Sequence, residues 1–181
     1  FYPSKNLGAF GDAGAIVTDD KDIAAAFKMY RNYGSEKRYY NKVVGANSRL
    51  DEMQAGLLRV RLKYLDEINA EKEKIAEFYS EHINNAKIIK PDVKQNCSSV
   101  WHQYVIRSSE RDELIEYLKE RNIGTIIPIP PHLAEAYQYL GYKEGDFPIT
   151  ETYAKSVLSL PVYNGITDEE LQYVADEINK F

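Results

Sequence analysis

Apolar side chains recur along much of this chain at three- and four-residue steps, the spacing of one face of a helix. Leu50, Met53, Leu57, Val60, Tyr64 and Ile68 form the longest stripe, and Ile75, Phe78 and Ile83 prolong it. The pattern predicts one helix over residues 48–84, opened by Ser48 with Asp51 three positions on, a capping-box-like start. A helix of that length exceeds the mean and joins domains or packs on a partner chain, with a plain core helix as the alternative. Ahead of it, residues 21–33 read as a helix with Ile23, Ala24, Phe27 and Tyr30 on one face and Gly34 just past its end. Residues 14–18 read as a short strand before a turn at Asp19-Asp20. The stretch from Gly34 to Asn47 is polar and tyrosine-rich without a period. It reads as a long loop, and such loops are functional or mobile.

Beyond the long stripe, Asn84-Asn85 and Pro91-Asp92 mark a boundary. Val100–Arg107 reads as a strand. Ser109 with Asp112 caps a helix carrying Leu114, Ile115 and Leu118, which stops near Asn122 and Gly124. Ile126-Ile127 is a short strand cut off by Pro128, Pro130 and Pro131. Residues 132–140 and 148–158 read as short helices and Leu158–Val162 as another strand. Thr167-Asp168-Glu169-Glu170 is a strict capping box opening a last helix with Leu171, Val174, Ala175 and Ile178 on one face. This order suggests a small α/β layer.

Composition narrows the function classes. Across 181 residues the hydrophobic share is 44% and the charged share 28%, that of a globular protein with room for one large or two small domains. A net charge of -5 disfavours a general nucleic-acid binder. Cys97 is the only cysteine, so no internal disulfide forms and a reducing, cytoplasmic setting is expected. No run of ~18 apolar residues suggests a membrane span. The first residue is Phe and no signal peptide is visible, so an interior start within a longer protein is expected. His82, His102 and His132 are too far apart for a zinc site, and no metal is expected.

The chemistry concentrates near the start. Lys5 follows the aromatic-proline turn Phe1-Tyr2-Pro3-Ser4 and precedes the glycine-rich bend Gly8-Ala9-Phe10-Gly11-Asp12-Ala13-Gly14. A lysine held in such a turn can form an imine with an aldehyde, and burial would favour its free amine. Taken alone, a lysine beside a glycine-rich loop is more often a solvated side chain. Further motifs follow in order. They are Arg31-Asn32-Tyr33-Gly34-Ser35, Gly45-Ala46-Asn47-Ser48-Arg49-Leu50-Asp51-Glu52-Met53-Gln54-Ala55, Trp101-His102-Gln103-Tyr104, Pro128-Ile129-Pro130-Pro131-His132, Gly141 to Pro148, and Leu158-Ser159-Leu160-Pro161-Val162-Tyr163. Together they resemble the DegT/StrS-type sugar aminotransferases, pyridoxal-phosphate enzymes of the aspartate-aminotransferase fold.

That resemblance implies an α/β fold of the PLP-dependent transferase class (fold type I). Residues 1–60 would be the end of a large cofactor-binding domain, 48–84 a connecting helix and 95–181 a small C-terminal α/β domain. Lys5 would carry the covalent link to pyridoxal 5'-phosphate and then shuttle a proton. Asn47 would reach the cofactor phosphate of the neighbouring subunit of a homodimer; a turn residue before Ser48 is its plainer reading. Arg49, His102 and Tyr33 are candidate substrate-binding residues. Arg49 can instead pair with Glu52, and His102 can be a packed strand histidine beside Trp101. The substrates implied are a nucleotide-linked keto-deoxysugar and an amino-acid donor, in polysaccharide, lipopolysaccharide or glycoconjugate biosynthesis. The Arg-Asn-Tyr-Gly-Ser form is most similar to members acting on deoxythymidine-diphosphate 3-keto-6-deoxyhexoses. Related dehydratases replace the lysine with histidine, so Lys5 argues against them.

Three departures qualify the resemblance. A serine, a ring-stacking aromatic and an Asp that pairs with the pyridine nitrogen belong upstream of Phe1, so the isolated chain is expected to be inactive. Read that way, it is a dimerisation and substrate-binding portion, the competing function. Relatives often place a His-Tyr pair where Ile127 runs straight into Pro128. Asp12 and Ala13 stand where many relatives have Glu and Gly, a mild change because small residues remain at the bend.

Overall fold

A computed structural model describes residues 1–127 and 130–181. Pro128 and Ile129, with the shortening expected just before Pro128, lie outside the described residues. The chain forms two compact units, Phe1–Asp66 and Glu67–Phe181.

The second unit owns the hydrophobic core. Strand β3 (Tyr104–Arg107) pairs antiparallel with β4 (Val157–Leu160), Tyr104 opposite Leu160 and Arg107 opposite Val157. Tyr104 and Ile106 point inward on the period of two that a strand imposes, while all four β4 residues are buried. Three helices cover the core: α3 (Leu65–His82), α4 (Arg111–Lys119) and α6 (Asp168–Lys180). Ile75 and Tyr79, Leu114 and Leu118, and Val174 and Ile178 meet there. The Tyr79 hydroxyl donates to the Pro161 carbonyl at 2.9 Å, and burial pushes its pKa up. Helix α6 starts on the expected capping box: Thr167 Oγ1 accepts the Glu170 N–H, and Glu170 accepts the Thr167 N–H at 2.9 Å. Asn84 and Asn85, read from sequence as a boundary, instead tie the end of α3 to α6. Asn84 N donates to Asn179 Oδ1 at 2.7 Å, and Asn85 Nδ2 to the Ile178 carbonyl at 2.8 Å.

Buried or clamped carboxylates do much of the remaining work in this unit. Glu71 of α3 accepts Asn164 Nδ2 and the Gly165 N–H, both at 2.6 Å, and holds the loop between β4 and α6. Glu177 of α6 accepts Lys180 Nζ at 2.6 Å, Arg121 Nε at 2.8 Å and the Tyr117 hydroxyl at 3.2 Å. These donors favour the ionised form. Glu71 is held below the ordinary 4.5 chiefly by Asn164, Glu177 chiefly by Lys180, and Glu170 chiefly by the Thr167 N–H. A carboxylate depressed in the folded state contributes stability above its unfolded pKa and loses it as pH falls through the folded value. We therefore expect the thermal midpoint to be flat from pH 7 to 5 and to drop steeply below pH ~4.5. Circular dichroism melts across that range check this; a midpoint unchanged down to pH 3 would contradict it.

The first unit is built differently. Among its described residues only Ala9 and Leu58 are buried apolar side chains. Helix α1 (Lys21–Tyr30) is capped by Asp20, whose carboxylate accepts the Asp22 and Ile23 N–H groups, but it buries none of its residues. Residues 14–18 form no ladder among the described residues, contrary to the strand expected there; Ile16 and Val17 are 66% and 93% exposed. β-Branched composition alone does not make a strand, which needs a neighbour to pair with. The loop expected at 34–47 holds a short hairpin, β1 (Ser35–Lys37) against β2 (Tyr40–Asn41).

The single helix expected over 48–84 is two helices. Helix α2 spans Glu52–Leu62 with Asp51 as N-cap, and α3 starts at Leu65. Ser48 does not open α2 because Leu50 at φ 60° takes the chain out of helical geometry before Asp51, the residue that becomes the N-cap. At the break, Lys63 N and Tyr64 N bond back three residues, to Val60 and Arg61, tightening the last turn. The unit boundary at Asp66/Glu67 therefore falls in the first turn of α3.

Candidate active site

Lys5 sits in a turn closed by backbone bonds. Its own N–H donates to the Tyr2 carbonyl at 2.9 Å, and the Ala9 N–H donates to the Phe1 carbonyl at 2.8 Å. Gly8 is required inside it, since a Cβ there would stand 2.3 Å from the Pro3 oxygen. Helix α2 braces this turn. Gln54 Oε1 accepts the Phe10 N–H at 2.9 Å, and Arg61 Nε points to the Asn6 carbonyl at 3.4 Å. Gln54 and Arg61 stand two helical turns apart, so they share a face. The lysine side chain is exposed. The burial expected for it from sequence is not supplied by this chain.

A second cluster gathers Tyr33, Asn47 and Arg49. Asn32 and Asn47 form an antiparallel bridge. Tyr33 N donates to the Ala46 carbonyl at 3.0 Å, and Ala46 N to the Tyr30 carbonyl at 2.9 Å. The Arg49 guanidinium lies 5.4 Å from the centre of the Tyr33 ring, and its Nη1 donates to Asn32 Oδ1 at 3.2 Å. Arg31 Nη2 in turn donates to the Arg49 carbonyl. The pairing of Arg49 with Glu52 allowed by sequence gives way to Asn32, because the bridge brings residue 32 alongside. Tyr33 at φ 59° and Leu50 at φ 60° are non-glycine residues in the left-handed region. Such strain persists only where the surroundings impose it, and it concentrates at functional sites. The side chains of Asn47 and Arg49 are left facing solvent.

His102 belongs to the second unit and is half-buried, next to Trp101 at φ 44°. Trp101 packs against the core with its ring 5.6 Å from that of Tyr104. His132, whose role the sequence left open, is buried against Glu151 with Nε2 2.9 Å from Oε1. Sequence reasoning missed Gln54, Arg61 and Glu151. Gln54 had a signal, since it is the glutamine of the Leu50-Asp51 motif; the other two had none. Replacing Gln54 by Ala should loosen the Lys5 turn, at a cost of about 1 kcal/mol for the lost hydrogen bond. Faster amide exchange at Phe10 with an unchanged α6 checks this, and unaltered exchange at Phe10 would remove Gln54 from the account.

The motifs that surround both clusters match the DegT/DnrJ/EryC1/StrS aminotransferase family over residues 1–179. This chain belongs to that family. It is 45% identical to the dTDP-3-amino-3,6-dideoxy-alpha-D-galactopyranose transaminase of Aneurinibacillus thermoaerophilus, over 99% of this chain and 54% of that protein. It is 42% identical to a pleiotropic regulatory protein of Geobacillus stearothermophilus, over 100% of this chain and 50% of that one. Among solved structures, S. venezuelae DesV in complex with a ketimine intermediate superposes with a TM-score of 0.92 at 40% identity, covering 99% of this chain and 49% of DesV. The chain thus spans about half the length of the relatives it matches, and its α/β fold is that of the fold type I, PLP-dependent aminotransferases.

Proposed function

We propose that the full-length protein is a PLP-dependent aminotransferase acting on a nucleotide-linked keto-deoxysugar, with an amino acid such as glutamate as donor. The product would feed polysaccharide, lipopolysaccharide or other glycoconjugate synthesis in the cytoplasm. The observation that carries this reading is Lys5, offered to solvent from a backbone-closed turn braced by Gln54 and Arg61, inside a chain matching the aminotransferase family almost end to end. The 45% identity to a dTDP-aminosugar transaminase supports a deoxythymidine-diphosphate sugar as the substrate class.

The donors present fit pyridoxal phosphate in kind: a primary amine for its carbonyl, and a neutral amide and a guanidinium for anionic oxygens. When bound, the cofactor supplies the electron sink for amino-group exchange. Lys5 Nζ would hold it covalently and, once free, would take and return a proton. The Asn47 amide would donate to the cofactor phosphate of the neighbouring subunit in a homodimer. Arg49 and Tyr33 would hold the anionic part of the substrate, and His102, in the second unit, is a separate candidate substrate contact. Glutamate-dependent amination of a dTDP-3-keto-6-deoxyhexose, followed by release of 2-oxoglutarate, tests the activity; absence of turnover in the cofactor-loaded, full-length protein would end this reading. Sedimentation of that protein should give a dimer at micromolar concentration, and an active monomer would rule out the role given to Asn47.

A second reading concerns the 181-residue chain by itself. Lys5, Asn47 and Arg49 are all exposed in it. Without walls around these groups, the chain alone is a substrate-binding and dimerisation portion without activity.

A further inference from the structure

Among the described residues from Gly124 to Ser156, no apolar residue is buried, whereas the side chains of the polar pair Glu151 and His132 are. The large apolar groups of this stretch lie outward: Tyr139 is 81% exposed, Ile149 73% and Leu140 51%. A segment this long without an apolar interior of its own is not held by hydrophobic burial within this chain. What holds it is polar. Glu151 accepts the Gly145 N–H on both oxygens at 3.0 and 2.9 Å, the Phe147 N–H at 3.2 Å, and His132 Nε2 at 2.9 Å. The side chains of His132 and Glu151 are each 8% exposed. The His132 ring meets Phe147 edge-on at 4.8 Å, and Phe147 meets Tyr142 at 5.2 Å. Three pieces therefore converge on one carboxylate: the 3-10 turn Pro131–Leu133, the bend around Gly145 at φ 96°, and helix α5 (Pro148–Ala154).

The two ends are fixed by separate contacts. Ile126 and Ser159 exchange backbone bonds at 3.3 and 3.0 Å. At the other end Arg111 Nη1 donates to the Ala154 carbonyl at 3.0 Å, and the Arg107 guanidinium lies 4.8 Å from the Tyr153 ring. These anchors belong to the β3–β4 sheet and α4, so they outlast the loss of the central contact.

We propose that the His132–Glu151 pair is a latch, and that residues 130–153 open as a separate unit when it is broken while the rest of the second unit stays folded. Removing Glu151 as an acceptor strands the Gly145 and Phe147 N–H groups and His132 together, so the loss is cooperative within the segment. No apolar interior is lost with it, so the effect stays local. Segments of this low-stability kind are the ones that reorder around ligands. The N–H donors also hold Glu151 ionised, the Gly145 N–H foremost, which keeps the latch closed at neutral pH. This inference stands apart from the proposed activity.

Hydrogen exchange with peptide-resolved mass spectrometry on the full-length protein tests it. In His132→Ala and in Glu151→Ala, exchange across residues 132–152 should rise about tenfold or more, with β3, α4 and α6 unchanged. His132→Gln keeps an N–H toward Glu151 and should stay near the wild type. Unchanged exchange in the segment, an equal rise in β3, α4 and α6, or a Gln variant as open as the Ala variant would each overturn the latch. The wild type in sub-denaturing urea gives an independent check. Exchange of 132–152 at lower urea than α4 and α6 supports a separate unit, and joint exchange refutes it.

Discussion

Lys5→Ala in the full-length, cofactor-loaded protein should lower amino-group transfer by about a thousandfold or more, since no other group can take the place of a covalent amine. Borohydride treatment followed by peptide mass spectrometry should find the cofactor fixed to Lys5 in the wild type and to nothing in the variant. The structure separates this chemical loss from a folding defect. The Lys5 turn is closed by the Lys5 and Ala9 backbone N–H groups and braced through Phe10 and Asn6, none of which involves the lysine side chain. Substitutions at exposed side chains usually change stability by no more than about 0.5 kcal/mol. The thermal midpoint should therefore stay where it was. Lys5→Arg keeps the positive charge but not a nucleophilic amine, and should be equally inactive. Turnover surviving in either variant would end the assignment of Lys5.

Gly34→Ala should dismantle the cluster that presents Asn47. Gly34 is buried at φ 70°, and a Cβ there would stand 1.8 Å from the Val43 carbonyl oxygen and 2.7 Å from its carbon. Both are backbone atoms, so a rotamer change cannot relieve the clash. The strand around the Lys42 N to Gly34 carbonyl bond, at 2.8 Å, must move. Left-handed strain alone costs about 1–3 kcal/mol, and the clash adds to it. The Asn32–Asn47 bridge starts two residues away, so the orientation of Asn47 and Arg49 should be lost along with the hairpin. Weaker cofactor binding, read by fluorescence titration, and a lower thermal midpoint are expected together. Gly14→Ala is the control, because the Cβ it adds would meet nothing within 4 Å in this chain and the φ there needs no glycine. If the two variants behave alike, the packing at Gly34 does not control the cluster.

What could be read from the chain alone was what depends on neighbours within a few residues. The Thr167–Glu170 box, the apolar face of α6 and the stripe of α4 are local patterns, and each appears where it was expected. So is the order of motifs around Lys5, which carried the family and the fold class. Even so, a local pattern can be overruled. The stripe from Leu50 to Ile83 runs unbroken through Lys63-Tyr64, where no Gly or Pro stands, yet two bonds shorten to three residues and the helix divides. Ser48 carries a cap signature, but Leu50 at φ 60° turns the chain before a helix can start there.

Tertiary structure alone decided which polar groups hold the molecule together. Gln54 reaches the Lys5 turn from 44 residues away, His132 meets Glu151 across 19, and Glu71 meets Gly165 across 94. A glutamate on a helix reads as a solvated charge in sequence, because its side chain is long and its acceptor sites match any donor. Only when folding brings backbone N–H groups to it does it become an anchor, and removing those N–H groups from water makes the match obligatory. The helices whose signals are local and the family were legible along the chain. The positions of Asn47, Arg49 and the carboxylate clamps came from contacts between distant segments, whose geometry no short-range pattern encodes.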